Sequence, residues 1–196
     1  MKNGERDNQR SKLYKAENTA LRPIETNFET IKATEKFLNK CCEKATLIKR
    51  YGSVIDLKNH PIKITDGRGT TNALAHGDYK ISLPSYYGTN WARTDRVSLH
   101  ELAHIIHNRI TNNRKYASKG IRVKELSGGA SHGWQFAAIY LDLVRFCMGK
   151  EAEEKLKKSF RENNVRFSPK STRKITDETR KALRQRISVA RAARKR

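Results

Sequence analysis

Residues 97–106 read VSLHELAHII, a stretch without proline in which the one charged side chain is that of Glu101. An α-helix repeats every 3.6 residues, so His100 and His104 project from the same face one turn apart. Two imidazoles in this arrangement can occupy two corners of a tetrahedral zinc site. The stretch therefore predicts a largely buried helix over about residues 94–109 that carries two metal ligands.

Glu101 directly follows the first of these ligands. Zinc lowers the pKa of a bound water toward about 7, and a neighbouring carboxylate can accept the proton and later return it to the leaving group. These are the roles of the residues in an HExxH motif. The competing interpretation is an amphipathic helix that carries these residues by chance, but burying them without a use would be costly. We therefore predict a zinc-dependent hydrolase with one Zn²⁺ and Glu101 as its general base.

A catalytic zinc site needs a third protein ligand and leaves its fourth position open to water. His132 is the best candidate, because it follows a Gly-Gly pair and opens an apolar helix, so a flexible segment can bring it to the first helix. A carboxylate ligand, Glu125, is the runner-up. Three ligands on one straight helix have poor tetrahedral geometry, so we expect His107 to be a core or surface histidine. The remaining histidines, expected in a loop and at a hairpin tip, are His60 and His76.

The spacing of apolar residues places helices on either side of a region of short strands. Helical periodicity occurs over about residues 5–21, 26–50, 94–109, 132–148, 150–162 and 176–194. Short β-branched segments separated by turn residues predict strands over residues 53–57, 61–65, 70–76 and 78–83. We therefore predict an α+β fold in which a small, mostly antiparallel sheet packs on helices.

The chain is strongly basic, with 42 Lys or Arg against 20 Asp or Glu and a net charge of +22. Residues 150–196 hold 17 of the basic and 6 of the acidic side chains, so about a quarter of the chain carries half of the net charge. An excess of this size is typical of proteins that bind polyanions, with nucleic acid the first candidate and an anionic membrane surface the second. The alternative is a solvated charged tail without a partner.

Nucleic-acid contacts are expected in the basic C-terminal helix, and they should be electrostatic and independent of base sequence. The side chains predicted to make them are Arg180, Lys181, Arg184, Arg186, Arg191 and Arg194. We accordingly divide the chain into a metallohydrolase domain with N-terminal helices, residues 1–162, and a basic linker and helical tail, residues 163–196.

Cysteine usage favours a reducing compartment, because Cys41, Cys42 and Cys147 form neither a CxxC pair nor a disulfide framework. The N-terminal residues lack the apolar core of a signal peptide, and no stretch approaches the roughly 20 apolar residues of a membrane span. We therefore expect no membrane span and a cytoplasmic location, which would be the host cytoplasm or the virion for a phage-encoded chain.

Two further motifs carry a resemblance to known proteins. HELAH followed by HGWQF at residues 132–136 resembles the SprT/Spartan group of zincin peptidases, whose pattern is HExxH, a short insert and HGxxF. The strings RDNQRSKLY at residues 6–14 and LP…WAR at residues 83–93 look like an uncharacterised branch of bacterial and phage zinc metallohydrolases. The resemblance covers roughly residues 5–148. It departs from the family in a longer gap between His104 and His132 and in the absence of a cysteine-rich zinc ribbon.

The resemblance implies a zincin-like fold, His132 as the third zinc ligand, and a protease that cuts proteins at or near nucleic acid. It also implies that the strand before the active-site helix, at residues 81–83, is the sheet edge to which substrate adds. A phenol could donate to the developing oxyanion, and the candidates are Tyr86, Tyr87 and Tyr116. The alternative for each of them, which we favour, is an aromatic ring packed over the helix. The alternative function is a basic nucleic-acid-binding protein, of a virion or a nucleoid, in which the zinc is structural or vestigial.

Overall fold

The computed structural model describes residues 7–67, 72–84, 91–112, 119–169 and 185. Within this part of the chain, six α-helices accompany one small sheet of three strands, an α+β arrangement as predicted. The helices are α1 (Arg10–Leu21), α2 (Ile31–Cys42), α3 (Ala45–Tyr51), α4 (Asp95–Thr111), α5 (Trp134–Cys147) and α6 (Lys150–Glu162). The strands are β1 (Lys63–Asp66), β2 (Leu74–His76) and β3 (Lys80–Leu83). Two short 3₁₀ turns lie at Arg22–Ile24 and Gly52–Ile55.

Helix α4 lies at the centre of the fold and includes the HELAH stretch. It begins where the Thr94 side chain accepts a hydrogen bond from the Val97 amide at 3.1 Å, a standard N-cap contact. Near its other end, the fully buried Arg109 donates to the carbonyl oxygens of Asp78, Val54 and His60 at 2.8–3.0 Å. The guanidinium therefore joins α4 to the backbone at three other points of the chain.

The sheet has the order β1-β3-β2, with β1 parallel and β2 antiparallel to β3. The prediction of a mostly antiparallel sheet was therefore wrong, because one of the two pairings is parallel. The β2–β3 hairpin, with Gly77 in its turn at φ 60°, supplies the antiparallel pairing, whereas β1 joins the other edge of β3 through a longer connection and runs parallel to it. The prediction that residues 81–83 form an edge strand was also wrong, since β3 is central and β2 is the edge nearest α4.

Two local predictions differ from the structure in the N-terminal half. The expected single helix over residues 26–50 is divided into α2 and α3, and residues 26–28 run extended beside the start of α4, where the Asp95 carboxylate accepts from the Thr26 amide at 3.0 Å. The expected strand over residues 53–57 begins as the second 3₁₀ turn, whose Val54 and Ile55 are buried beneath the end of α3. An apolar run this short does not distinguish a strand from a buried turn.

Helix α1 packs along α6, and its buried residues Leu13, Ala16 and Leu21 have no exposed surface. The Ser159 hydroxyl on α6 donates to the Ala16 carbonyl oxygen at 2.9 Å, which sets the two helices in register. Helix α5 lies against both α4 and α6, and α1 reaches the middle of α4 through a contact between Glu17 and His100. None of the helices in the described ranges has the length and apolar character needed to cross a bilayer.

Candidate metal centre

His100, His104 and His132 come together between α4 and the start of α5. One ring nitrogen of each lies within 4.8 Å of the other two, and the His104 and His132 Nε2 atoms are 3.1 Å apart. The first two histidines meet because they are one helical turn apart on α4. His132 lies two residues before α5, and 28 residues separate it from His104 along the chain.

Short glycine turns place His132 at this position. Gly128 and Gly129 have φ angles of 81° and 88°, the left-handed region that glycine adopts without strain. A side chain at Gly129 would be strained by this φ angle and would also displace the end of the Gln135 side chain. The Gln9 side chain then donates to the His132 carbonyl oxygen at 2.6 Å and holds the backbone from the other side.

In two histidines of the cluster, the ring nitrogen that faces away from the cluster contacts a carboxylate. Glu17 Oε2 lies 2.7 Å from His100 Nδ1, and Asp7 Oδ2 lies 2.6 Å from His132 Nδ1. A carboxylate at Nδ1 holds the proton there and leaves Nε2 with a free lone pair, the tautomer that a metal ligand requires. The two carboxylates thus orient the rings as carboxylate–histidine pairs do in zinc sites.

The histidine nitrogens that converge in the cluster are better suited to binding a metal ion than to hydrogen bonding with one another. Within the described residues, His100 Nε2 is fully buried and has no hydrogen-bond partner, which would be costly for a polar atom without a ligand. Burial lowers the pKa of His104 well below its usual value, and the nearby charges of His100 and His132 lower it further. Burial likewise lowers the pKa of His132, although Asp7 opposes this. A lowered pKa favours the neutral form of His104 and His132 that a metal ligand requires, and three converging imidazole nitrogens are a donor set that suits Zn²⁺.

Glu17 is buried in the protein interior, where its carboxylate pairs with an arginine. Its side chain is 3% exposed, and Arg96 NH1 lies 3.3 Å from its other carboxylate oxygen. Arg96 Nε also contacts the Glu25 carboxylate at 2.6 Å. Burial lowers the pKa of His100, but the charge and hydrogen bond of Glu17 outweigh it, so the pKa is raised overall. The structure therefore buries a connected chain of Glu25, Arg96, Glu17 and His100.

Glu101 lies beside the histidines, and its side chain is nearly fully buried. Burial raises the pKa of its carboxyl group, while the His100 charge and a hydrogen bond from the Ala75 amide oppose the increase without cancelling it. A carboxylate whose pKa is raised toward neutrality is a more effective proton acceptor and donor at physiological pH. Because Ala75 belongs to β2, the sheet edge lies next to this carboxylate.

Two other predicted candidates, His107 and Glu125, do not belong to the cluster. His107 is buried and contacts the Gly128 carbonyl oxygen through Nε2 at 2.8 Å, as expected of a core histidine. Glu125, the runner-up ligand, is about half exposed and pairs with Arg122 at 3.5 Å. The residues predicted to contact nucleic acid, and the tyrosines predicted to act on the oxyanion, fall outside the described residues; these are Arg180, Lys181, Arg184, Arg186, Arg191 and Arg194, with Tyr86, Tyr87 and Tyr116.

The sequence did not indicate Asp7 and Glu17, whose carboxylates contact the histidines, or Arg96, which pairs with Glu17. Glu17 had a detectable signal, because it lies four residues after Leu13 and four before Leu21, in the middle of the apolar face of α1. A charged residue in that position is costly unless it is paired. Asp7 precedes the helix and carries no comparable signal.

No protein-family model, no curated protein and no solved structure matches this chain. What the site does must therefore follow from its own geometry.

Proposed function

We propose that the protein is a zinc-dependent hydrolase in which His100, His104 and His132 hold one Zn²⁺ and Glu101 is the general base. The observation that carries the proposal is the convergence of three imidazoles, two of them backed by carboxylates, beside a buried glutamate. In the described residues the cluster contains three histidines, which suits a catalytic site that leaves one position for water. A structural zinc usually has four protein ligands.

Zn²⁺, when bound, polarises a carbonyl oxygen and makes water a stronger acid. Glu101 then takes the proton of the attacking water on its carboxylate and returns it to the leaving nitrogen. Glu17 and Asp7 keep their histidines in one tautomer and one orientation throughout. The buried position of Glu101 helps, because a carboxylate with a raised pKa is a stronger base toward the attacking water.

A protein substrate is the class we propose, on the SprT/Spartan resemblance and on the position of β2. An extended peptide can add to an exposed sheet edge through its main-chain hydrogen bonds. The edge strand β2 lies beside Glu101, so a peptide in that position would bring a carbonyl group to the general base. The α+β fold, the mixed sheet and the central α4 support a zincin-like arrangement.

Association with nucleic acid is proposed from the net charge of +22. Each phosphate contact releases condensed counterions, so the logarithm of duplex affinity should fall linearly with the logarithm of salt concentration. A variant with glutamine at the six predicted tail positions should have a shallower salt dependence than the natural chain. An identical slope would exclude these side chains from the interface.

The general base is tested with Glu101→Gln, which keeps the shape of the side chain and removes its ability to take a proton. We expect the zinc-loaded variant to bind one Zn²⁺ and to degrade labelled casein about 100-fold or more slowly than the natural protein. Glu125→Gln is the matched control, because it makes the same chemical change at an exposed position. Casein cleavage at the natural rate in Glu101→Gln would overturn the proposal.

The second candidate function is a basic nucleic-acid-binding protein of a virion or nucleoid with a structural or vestigial zinc, and the same net charge favours it. It predicts zinc binding and salt-dependent nucleic-acid binding but no proteolysis by the natural chain. The casein assay therefore separates the two functions, whereas nucleic-acid binding alone does not.

A further inference from the structure

Tyr14 is the residue through which α1 reaches the histidine cluster directly. Its ring is stacked on the His100 ring, with centroids 5.2 Å apart and planes 13° from parallel, and its centroid lies 5.4 Å from that of His132. The charge of Glu101 also acts on its phenol group. Tyr14 therefore borders two proposed metal ligands, although it comes from a distant part of the sequence.

Arg10 lies one helical turn before Tyr14 on the same face of α1. Its guanidinium carbon is 5.6 Å from the centroid of the Tyr14 ring, and the side chain is exposed. Its positive charge acts on both His104 and His132. A cation is thus placed at the solvent side of the cluster, next to the phenol.

The phenol of Tyr14 can donate a hydrogen bond. A guanidinium has only N–H donors, so the neighbouring Arg10 cannot accept the phenol hydrogen. A phenol has an ordinary pKa of about 10, so it carries its proton at neutral pH. Tyr14 therefore combines a fixed ring with a hydrogen that can be shared with an incoming group.

Building on the proposed hydrolase function, we propose that Tyr14 donates a hydrogen bond to the oxyanion that develops on the substrate carbonyl, and that Arg10 adds positive charge beside it. Donors held in place before the reaction stabilise such an oxyanion without having to reorganise. This assigns an oxyanion role to a residue of the N-terminal helix, which the sequence did not indicate.

The bonds and protons of the reaction balance, and Tyr14 keeps its own proton throughout. Attack of the water oxygen forms a bond to the carbonyl carbon, and the π-electron pair of the carbonyl moves onto its oxygen. The proton of the water goes to Glu101, and the Tyr14 O–H shares its hydrogen with the negative oxygen. When the electron pair returns, the C–N bond breaks and Glu101 gives its proton to the leaving nitrogen.

A binding experiment tests this role without a substrate. The full chain is loaded with Co²⁺, whose visible absorption reports its ligands, and is titrated with acetohydroxamate, which presents an anionic oxygen as the oxyanion would. Tyr14→Phe keeps the stacked ring and removes the donor, so we expect the dissociation constant to rise about tenfold while Co²⁺ affinity is unchanged.

Tyr140→Phe is the matched control. The Tyr140 ring also packs on His100, at 5.5 Å, but its hydroxyl donates to the Arg96 carbonyl oxygen inside the protein. We expect this variant to bind acetohydroxamate as tightly as the natural chain. Thermal unfolding of each loaded variant verifies that it is folded.

The outcomes separate the two proposals. If the natural chain binds no Co²⁺, or binds Co²⁺ but not acetohydroxamate, the proposed hydrolase site is wrong. If acetohydroxamate binds the natural chain and Tyr14→Phe equally well, the site stands and the role of Tyr14 is wrong. A tenfold loss of acetohydroxamate affinity in Tyr14→Phe but not in Tyr140→Phe supports the role of Tyr14.

Discussion

Glu17 Oε2 lies 2.7 Å from His100 Nδ1, although 83 residues separate the two in sequence. Both side chains are 3% exposed, so the contact is shielded from water. A carboxylate at this depth needs cationic or hydrogen-bonding partners to remain charged, and Arg96 and His100 supply them. The contact that joins α1 to α4 therefore also orients a proposed metal ligand.

Replacing Glu17 with glutamine should weaken metal binding. The amide keeps the size of the side chain but has no negative charge with which to hold the His100 proton on Nδ1. Loss of such a partner typically costs about 10–100-fold in metal affinity. Competition with a chromophoric chelator measures the Zn²⁺ dissociation constant, and Glu35→Gln, at an exposed position on α2, is the control. Equal affinities for Glu17→Gln and the control would contradict the orienting role.

Zinc should stabilise the folded natural chain but not a His132→Ala variant. A ligand that binds only the folded state adds about 2.7 kcal/mol when its free concentration is 100 times its dissociation constant. Urea unfolding with and without EDTA measures this difference. We expect His60→Ala to retain the response, because His60 lies outside the cluster. A full zinc response in His132→Ala would remove that residue from the ligand set.

Gly120→Ala should destabilise the protein more than Gly128→Ala. A Cβ at Gly120 would lie 2.4 Å from the carbonyl carbon of Tyr51, and backbone atoms cannot move aside cheaply. We expect a loss of more than about 2 kcal/mol in the free energy of unfolding. Gly128 has open space but a φ of 81°, so its substitution should cost about 1 kcal/mol through strain alone. Urea titration measures the free energy of unfolding of both variants. A larger loss in Gly128→Ala than in Gly120→Ala would show that backbone strain outweighs the clash.

His107 should make the metal-free protein less stable in mild acid. Burial lowers its pKa in the folded state, so between that value and about 6.5 the unfolded chain binds more protons at this residue. Stability from this group is therefore present above about pH 6.5 and is lost as the pH falls toward the lowered pKa. In EDTA, the natural chain should lose more unfolding free energy between pH 7.5 and pH 5.5 than His107→Gln does. Parallel pH profiles of the two proteins would exclude this contribution.

Local periodicity was enough to predict several elements of this protein. Helix α4 and the shared face of His100 and His104 depend on contacts three and four residues apart, which the sequence displays directly. Helices α5 and α6 were predicted for the same reason. The strand order was not predictable from the same signals, because β2 and β1 flank β3 through pairings that alternation alone does not specify.

The sequence by itself determined that two histidines and a glutamate share a buried helix, and it indicated His132 as the residue to join them. Only the tertiary structure decided that Asp7, Glu17 and Tyr14 lie against those histidines and that β2, not β3, is the sheet edge beside Glu101. The physical reason is distance along the chain. Contacts between residues separated by 83 or 125 positions arise from the packing of α1 on the core, and no local pattern encodes them.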